Sequence, residues 1–209
     1  MRKKLLKKFS LYVIVDENLD IAKHVISQGA NIVQLRIKNK SDSFVLAIAK
    51  KIRKLTKKHN VLFIVNDRLD IAKISEADGV HLGQEDISVK AARAFLGKNY
   101  IIGTSTHCVK EARIALSQNP DYIAIGSIFK TTTKPHLKPL GIARAQKIIN
   151  KTTIPYFVIG GINLKNISQL IKYKINKIVV YKAICQAKKP GITTKKFKDI
   201  LLNYENSHR

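Results

Sequence analysis

Cysteine, acidic residues and long apolar runs are all scarce in this chain of 209 residues. The two cysteines, Cys108 and Cys185, stand far apart and in no metal-binding spacing, which argues against a disulfide framework and fits a reducing compartment. No apolar run approaches the roughly 20 residues that span a bilayer. The apolar stretch after the basic N-terminus is too short for a signal peptide, so we expect a cytoplasmic protein.

Linker-like segments are also missing. No stretch rich in glycine, serine or proline divides the chain, so we expect one domain over residues 1–209. This length is sufficient to bury a sizeable core and lies at the lower limit for an α/β barrel.

The scarcity of acids leaves a large positive charge: 39 Lys and Arg against 14 Asp and Glu give a net charge of +25. Such an excess raises the possibility of nucleic-acid binding. However, Phe44, Ile48, Ile52 and Leu55 form one helical stripe from which the neighbouring lysines mostly point away. We therefore interpret the lysines as solvated helix faces, and we keep a basic nucleic-acid-binding module only as an alternative.

Short apolar runs recur along the chain, with segments of helical spacing between them. The runs span residues 11–15, 31–37, 61–66, 79–82, 100–105, 122–129, 155–162 and 177–183. Nearly continuous apolar runs are typical of strands covered on both faces, and eight strand–helix units predict an α/β fold, a (β/α)₈ TIM barrel. An open doubly wound sheet is the alternative, but no glycine-rich turn follows the first run. A closing helix is expected after Thr193 or Thr194 as its cap.

Active sites of such barrels lie at the carboxyl ends of the strands, and the second run ends in polar residues. Gln34, Arg36 and Lys38 alternate there, so we expect them to share one face of the strand. Guanidinium and ammonium groups suit phosphate. The alternative is an ordinary strand with a solvated rim.

The third and fourth runs end in acids. Asn66 and Asp67 close one, and residues 84–86, ending in Asp86, close the other. Oxygen ligands on neighbouring strand ends suit Mg²⁺, which takes one or two carboxylates and completes its shell with water and phosphate oxygens. Spacing leaves an alternative open, in which Asp67 and Asp86 cap the helices that follow them.

The later runs add groups that could contact phosphate. Ser105 can donate to a phosphate oxygen, whereas His107 has no nucleophile nearby and is expected to be solvated or orienting. The loop over 130–141 carries three threonines and Lys134, which suit a phosphate-binding lid but also an ordinary surface loop. At 160–161, two glycines would let backbone N–H groups approach an anion.

Six motifs, in order and at these spacings, resemble the thiamine-phosphate synthase family: QLRIK, VNDRLDIA, ADGVHLGQED, IIGTSTH, GSIFKTTTKP and VIGGI. The resemblance covers about residues 10–185. It implies a (β/α)₈ barrel that joins 4-amino-2-methyl-5-hydroxymethylpyrimidine diphosphate to 4-methyl-5-hydroxyethylthiazole phosphate, or to its carboxylated form. The products would be thiamine phosphate and pyrophosphate. The partners would be small phosphorylated molecules, without nucleic acid or membrane, and the oligomeric state stays open.

The resemblance also implies site residues, carried over position by position. The pyrimidine diphosphate would be held by Gln34, Arg36, Lys38, Asn66, Ser105 and Lys134, of which Arg36, Lys38, Ser105 and Lys134 would be catalytic. The Mg²⁺ ligands would be Asp67 and Asp86. The thiazole phosphate would be held by Thr131, Thr132, Thr133, Gly161, Tyr181 and Lys182. The family mechanism is dissociative: the aminopyrimidine supports a cationic methylene as pyrophosphate leaves, and the thiazole nitrogen then attacks.

Two positions depart from the family pattern. Ile37 stands where the family usually has glutamate, at a position expected to face away from the site. Lys182 replaces a serine that helps to bind thiazole phosphate, so the details of that subsite differ. A related thiazole tautomerase, which shares the fold but lacks the diphosphate-binding apparatus, is the nearest alternative enzyme.

Overall fold

Eight parallel strands close into a barrel in chain order, and a helix follows each strand. The computed structural model describes residues 2–133 and 138–208. The strands are β1 (Leu11–Val15), β2 (Ile32–Leu35), β3 (Leu62–Asn66), β4 (Gly79–Leu82), β5 (Ile101–Thr106), β6 (Tyr122–Gly126), β7 (Tyr156–Ile159) and β8 (Ile178–Val180). The helices are α1 (Leu19–Ser27), α2 (Asp42–Lys58), α3 (Leu69–Ile74), α4 (Val89–Leu96), α5 (Val109–Ser117), α6 (Ile142–Ile149), α7 (Ile167–Lys172), α8 (Lys182–Cys185) and α9 (Pro190–Asn206). Because β8 pairs with β1, the prediction of a (β/α)₈ barrel is confirmed and the open sheet is wrong.

Alternation along the strands supplies two separate cores. In β1, Tyr12 and Ile14 belong to the cluster inside the barrel, whereas Leu11, Val13 and Val15 belong to the cluster between the sheet and the helices. Both faces of each strand are therefore buried, which explains why the runs are nearly continuous in apolar residues.

The amino-terminal end of the barrel is closed by a short 3₁₀ helix (Arg2–Lys7). Its Leu6 is fully buried in the interior cluster. Lys177 Nζ fixes this segment by donating to the carbonyl oxygens of Lys7 and Phe9, at 2.7 and 2.9 Å. The opposite end is left for a site. No helix in the described ranges is long and apolar enough to cross a membrane.

The first residues of α3 and α4 test whether Asp67 and Asp86 are helix caps. The N-cap residue of α3 is Arg68, and that of α4 is Ser88, whose hydroxyl accepts from the Ala91 N–H. Neither Asp67 nor Asp86 occupies a cap position, so the interpretation of these residues as helix caps is wrong.

Four strands, β2, β6, β7 and β8, end earlier than predicted, and two of these differences affect the site. β2 ends at Leu35, so Arg36 and Lys38 lie in the following loop, and the expectation that they are strand residues is wrong. The expectation that they share one side with Gln34 is confirmed, because all three line the same cavity. The Arg36 N–H still donates to Val15 O at 2.9 Å, but the chain then leaves the sheet. β8 ends at Val180, and Lys182 is the first residue of α8 rather than a strand residue.

The closing helix α9 begins at Pro190, earlier than expected. Proline suits the first turn of a helix because its missing N–H would have no partner there. Thr193 and Thr194 lie inside the helix, where their hydroxyls donate to the carbonyls of Lys189 and Pro190. The expectation that either threonine caps this helix is therefore wrong.

Candidate active site

A cavity of about 730 Å³ lies at the carboxyl ends of the strands. Its lining includes every described residue that the motifs implicate: Gln34, Arg36, Lys38, Asn66, Asp67, Asp86, Ser105, Thr131, Thr132, Thr133, Gly161, Tyr181 and Lys182. Lys134, which the motifs also implicate, lies outside the described residues. The structure thus brings the predicted residues together around one space, while the role of each stays a prediction.

Charges around this cavity are sorted by sign. The described acids of the lining, Asp67, Glu85, Asp86 and Glu111, follow β3, β4 and β5. The described lysines and arginine, Arg36, Lys38, Lys130 and Lys182, follow β2, β6 and β8. Since the strands are arranged in chain order, the acids occupy one arc of the rim and the cations flank it on both sides. One arc suits a bound cation, and the flanking arcs suit anions.

The carboxyl groups of Asp67 and Asp86 are close enough, across the ends of β3 and β4, for each to shift the pKa of the other. Lys38 Nζ lies 2.6 Å from Asp67 Oδ2, and the Gly83 N–H donates to Asp86 Oδ2 at 2.5 Å. Asp67 also has a positive φ of 62°, a conformation that aspartate tolerates better than most residues.

The two carboxyl groups of this pair have pKa values shifted in opposite directions. Burial and the neighbouring Asp67 raise the pKa of Asp86. Burial also acts to raise the pKa of Asp67, but hydrogen bonds from Lys38 and Asp86 outweigh it and hold that pKa below its ordinary value. Two carboxyl groups that cannot both ionise freely are a pair that a divalent cation would compensate.

The donor set fits Mg²⁺. Among residues 2–133 and 138–208, no group of three or more His, Cys, Asp and Glu side chains could hold a metal ion. Mg²⁺ does not need such a group, because it binds through one or two carboxylates and takes its remaining oxygens from water and substrate phosphates.

On the cationic side of the cavity, one hydrogen bond connects a loop to a helix. Lys182 Nζ donates to Thr132 Oγ1 at 2.8 Å, which links the segment after β6 to α8. Gly161 lies on the same side with φ of +65°, and its carbonyl accepts from the side chains of Asn163 and Asn166. A Cβ at Gly161 would collide with the Lys130 backbone, so glycine is required for this close approach.

Sequence reasoning missed a buried hydrogen-bonded set at the floor of the cavity, here called the interior network: Gln34, Tyr12, Tyr122, His81 and Ser105. Gln34 Nε2 donates to the Tyr12 hydroxyl at 2.5 Å, and the Tyr12 and Tyr122 hydroxyls are 3.0 Å apart. His81 Nδ1 lies 3.0 Å from the Tyr122 hydroxyl, and His81 Nε2 lies 2.9 Å from Ser105 Oγ. Ser105, a predicted phosphate contact, is thereby connected to Gln34, a predicted pyrimidine contact.

His107 has an orienting partner that the sequence did not reveal. Glu111 Oε2 accepts from the His107 backbone N–H at 2.7 Å and lies 2.9 Å from the ring Nδ1. Both side chains line the cavity. His107 precedes α5, and Glu111 lies in the first turn of that helix. Glu111 therefore orients the histidine, and the expectation that His107 is solvated or orienting stays a prediction.

A closed (β/α)₈ barrel with a charged cavity at the carboxyl ends of its strands defines the class of barrel enzymes whose chemistry is carried by the strand-end loops. Within this class the sequence is specific. The model of the thiamine monophosphate synthase family matches residues 11–184. The chain belongs to that family.

Individual members of the thiamine-phosphate synthase family are similar to this chain over most of its length. A thiamine-phosphate synthase of Persephonella marina is 39% identical over 202 residues, covering 93% of this chain and 97% of the relative. One from Prochlorococcus marinus is 40% identical over 193 residues, covering 91% of this chain but 56% of the relative, so this chain spans little more than half of that protein. A thiamine phosphate pyrophosphorylase structure from Pyrococcus furiosus superposes with a TM-score of 0.89, at 33% identity, over 96% of this chain and 98% of that one.

These comparisons confirm the family resemblance and give no support to the tautomerase or nucleic-acid alternatives. Cytoplasmic location and magnesium dependence stay predictions, and the oligomeric state stays open.

Proposed function

We propose that this protein is a thiamine-phosphate synthase, which joins hydroxymethylpyrimidine diphosphate to a thiazole phosphate and releases pyrophosphate. The observation that carries the proposal is the convergence of all described motif residues on a single cavity in a chain that belongs to this family. The distribution of charge supports it, since a reaction between two phosphorylated molecules needs two anion-binding regions.

We propose that Asp67 and Asp86 hold Mg²⁺. Their mutual contact and the raised pKa of Asp86 support this assignment. When bound, the ion would supply positive charge to the diphosphate oxygens.

The residues of this chain act by positioning and by charge. Arg36 and Lys38 would contact the diphosphate and stabilise the negative charge that grows on it as the C–O bond breaks. Ser105 would donate to a phosphate oxygen from the other side of the acidic arc. No protein nucleophile is needed, because the ring electrons of the aminopyrimidine support the cationic methylene.

The second substrate would lie on the opposite side of the cavity. Lys182, Thr132 and the backbone near Gly161 would hold the thiazole phosphate, so that the thiazole nitrogen faces the methylene carbon. Holding both reactants in one cavity replaces a bimolecular encounter by a nearly unimolecular step.

The test is an assay with purified protein, both substrates and Mg²⁺. Thiamine phosphate and pyrophosphate should appear in equal amounts, and product should be absent when either substrate is omitted or when a chelator is added. A folded protein that forms no thiamine phosphate with all components present would refute the proposal. Product formation that a chelator leaves unchanged would refute the magnesium assignment alone.

A further inference from the structure

The ring of His107 is held in one orientation at the edge of the cavity. Glu111 Oε2 accepts from the His107 backbone N–H at 2.7 Å and lies 2.9 Å from the ring Nδ1. Because a carboxylate oxygen only accepts hydrogen bonds, Nδ1 carries a proton in this contact. The two side chains are 23% and 30% exposed, so neither moves freely in solvent. The edge of the ring that carries Nδ1 is therefore turned to Glu111.

Alternation along the chain places His107 on the same side as Ser105. Between them, Thr106 is fully buried, and its hydroxyl donates to the Ala124 carbonyl at 3.2 Å. Ser105 and His107 both line the cavity. Successive residues of an extended chain point to opposite faces, and two residues advance about 6–7 Å. His107 therefore lies one step nearer the mouth of the cavity than Ser105.

The other ring nitrogen of His107 is available to a ligand. Glu111 occupies Nδ1 and the backbone N–H. Among the residues that the structure describes, none forms a hydrogen bond with Nε2 of His107. Nε2 lies on the edge of the ring opposite Nδ1 and is left to interact with the contents of the cavity.

The distribution of charge gives this nitrogen a use. The lining that follows β3, β4 and β5 includes four acids but, in the described part of the chain, no lysine or arginine. An anionic ligand that reaches this wall needs donors other than the cations that follow β2, β6 and β8. Ser105 supplies one hydroxyl, and a histidine protonated on Nε2 supplies a second donor beside it.

We propose that His107 is a further substrate-contacting residue, whose Nε2 donates to an oxygen of the diphosphate, and that Glu111 is its positioning residue. This inference rests on the function proposed above. A diphosphate has two phosphate groups, which can meet Ser105 and His107 in turn. A ring that donates from both nitrogens is an imidazolium, and its charge is compensated by Glu111 on one side and by the diphosphate on the other.

Two substitutions at one position separate the two edges of the ring. The amide of His107→Asn lies near the position of Nδ1 and can still donate to Glu111, whereas the amide of His107→Gln lies near the position of Nε2 and can still reach a ligand. Binding of pyrophosphate in the presence of Mg²⁺ is measured by isothermal titration calorimetry of the purified protein. His107→Asn should raise Kd about tenfold, the factor equivalent to one hydrogen bond from a charged donor, and His107→Gln about threefold or less.

A purely structural role of His107 at the start of α5 predicts the reverse order, because only asparagine would preserve the contact with Glu111. His59→Asn is the matched control. His59 is exposed, directly follows α2 and does not line the cavity, so this substitution should leave Kd unchanged.

The positioning role of Glu111 is tested by a double-mutant cycle. Glu111→Ala alone should weaken pyrophosphate binding, because the ring of His107 loses its fixed orientation. In a His107→Asn background, Glu111→Ala should have no further effect on Kd. Full additivity of the two substitutions would overturn the positioning role. If Glu111→Ala fails to fold, Glu111→Gln, which keeps an acceptor oxygen and removes the charge, is judged by the same cycle.

Kinetics distinguish this inference from the proposed function. KM for the pyrimidine diphosphate should rise in the same order as Kd, with His107→Asn above His107→Gln. Equal Kd values in wild type and both His107 variants, tighter binding by His107→Asn than by His107→Gln, or no binding of pyrophosphate by the wild type would overturn the inference. If the wild type binds pyrophosphate but makes no thiamine phosphate, the proposed function fails, and the order of the two variants still decides whether His107 contacts a phosphate oxygen.

Discussion

Lys182 offers a sharp test of the thiazole phosphate subsite, because this residue departs from the family pattern. It is the first residue of α8, and its Nζ donates to Thr132 Oγ1 at 2.8 Å across the mouth of the cavity. An ammonium has three donors, so two remain for a phosphate oxygen. Lys182→Ser restores the family residue and removes one positive charge.

The expected size of the effect follows from this contact. A hydrogen bond from a charged donor contributes about 1.5–3 kcal/mol, against about 0.5–1.5 kcal/mol for a neutral one. Replacing the ammonium by a hydroxyl should therefore cost about 1.4 kcal/mol, or a tenfold rise in KM for the thiazole phosphate. Because Lys182 is partly exposed, this cost should shrink as salt screens the charge.

The assay follows pyrophosphate release at saturating pyrimidine diphosphate while the thiazole phosphate is varied, at low and at high salt. KM for the pyrimidine substrate should not change. Lys172→Ser on α7 is the matched control, since it makes the same charge change at an exposed position outside the cavity. An unchanged thiazole phosphate KM in Lys182→Ser at both salt concentrations, or an equal rise in the control, would refute the contact.

Three further predictions concern the rest of the molecule. Asp86→Asn should raise the Mg²⁺ concentration for half-maximal activity more than about tenfold, since a full charge beside a divalent cation is worth several kcal/mol. Asp86→Asn should not lower the melting temperature of the metal-free protein, because it removes the repulsion between the carboxylates of Asp67 and Asp86. A destabilised variant with unchanged Mg²⁺ dependence would contradict this prediction. Arg36→Ala should lower kcat about 10²–10³-fold, as expected for removal of a transition-state donor, whereas Arg113→Ala on the surface of α5 should not; a change confined to KM would contradict this. Burial raises the pKa of the Cys185 thiol from 9.0 to about 12. The neutral thiol therefore stabilises the fold below pH 9, and this contribution is lost as pH rises toward 12. In urea unfolding, the free energy of unfolding should fall more steeply with pH in the wild type than in Cys185→Ala, by at most about 1.4 kcal/mol per pH unit. Equal slopes for the two proteins would contradict this prediction.

Strand positions could be predicted from the sequence because burial on both faces leaves a pattern that needs no knowledge of neighbours. β1 and β4 begin and end where the apolar runs do. The ends of β2 and β8 could not be predicted in this way. A run that continues into a buried loop or a short helix stays apolar, as Ile37 does where it packs against the outer core, so composition does not mark the boundary.

Helix faces were predicted less accurately than strands. The stripe expected in α2 included Phe44 and Leu55, but Phe44 is 39% exposed, and the buried face runs through Val45, Ile48 and Ile52. At the start of α2 the buried residue is Val45 instead of Phe44, because an apolar residue on the first turn can remain at the edge of the surface that packs against the core. Which apolar residues reach the core depends on how the helix lies against β3 and the helices α1 and α3, and this is a property of packing.

The interior network was beyond strand-by-strand reasoning, although its polar atoms were visible in the sequence. Tyr12, His81 and Tyr122 stand in apolar runs at positions that point into the barrel, and a buried hydroxyl or imidazole must find a partner. That requirement alone predicts hydrogen bonds but not their members, because the partners come from different strands. Tyr122 meets Tyr12 from 110 residues away, and Gly103 makes the space in which it does so. Closure of the barrel therefore decides which polar groups pair, and it places Ser105 beside His81 at the floor of the cavity.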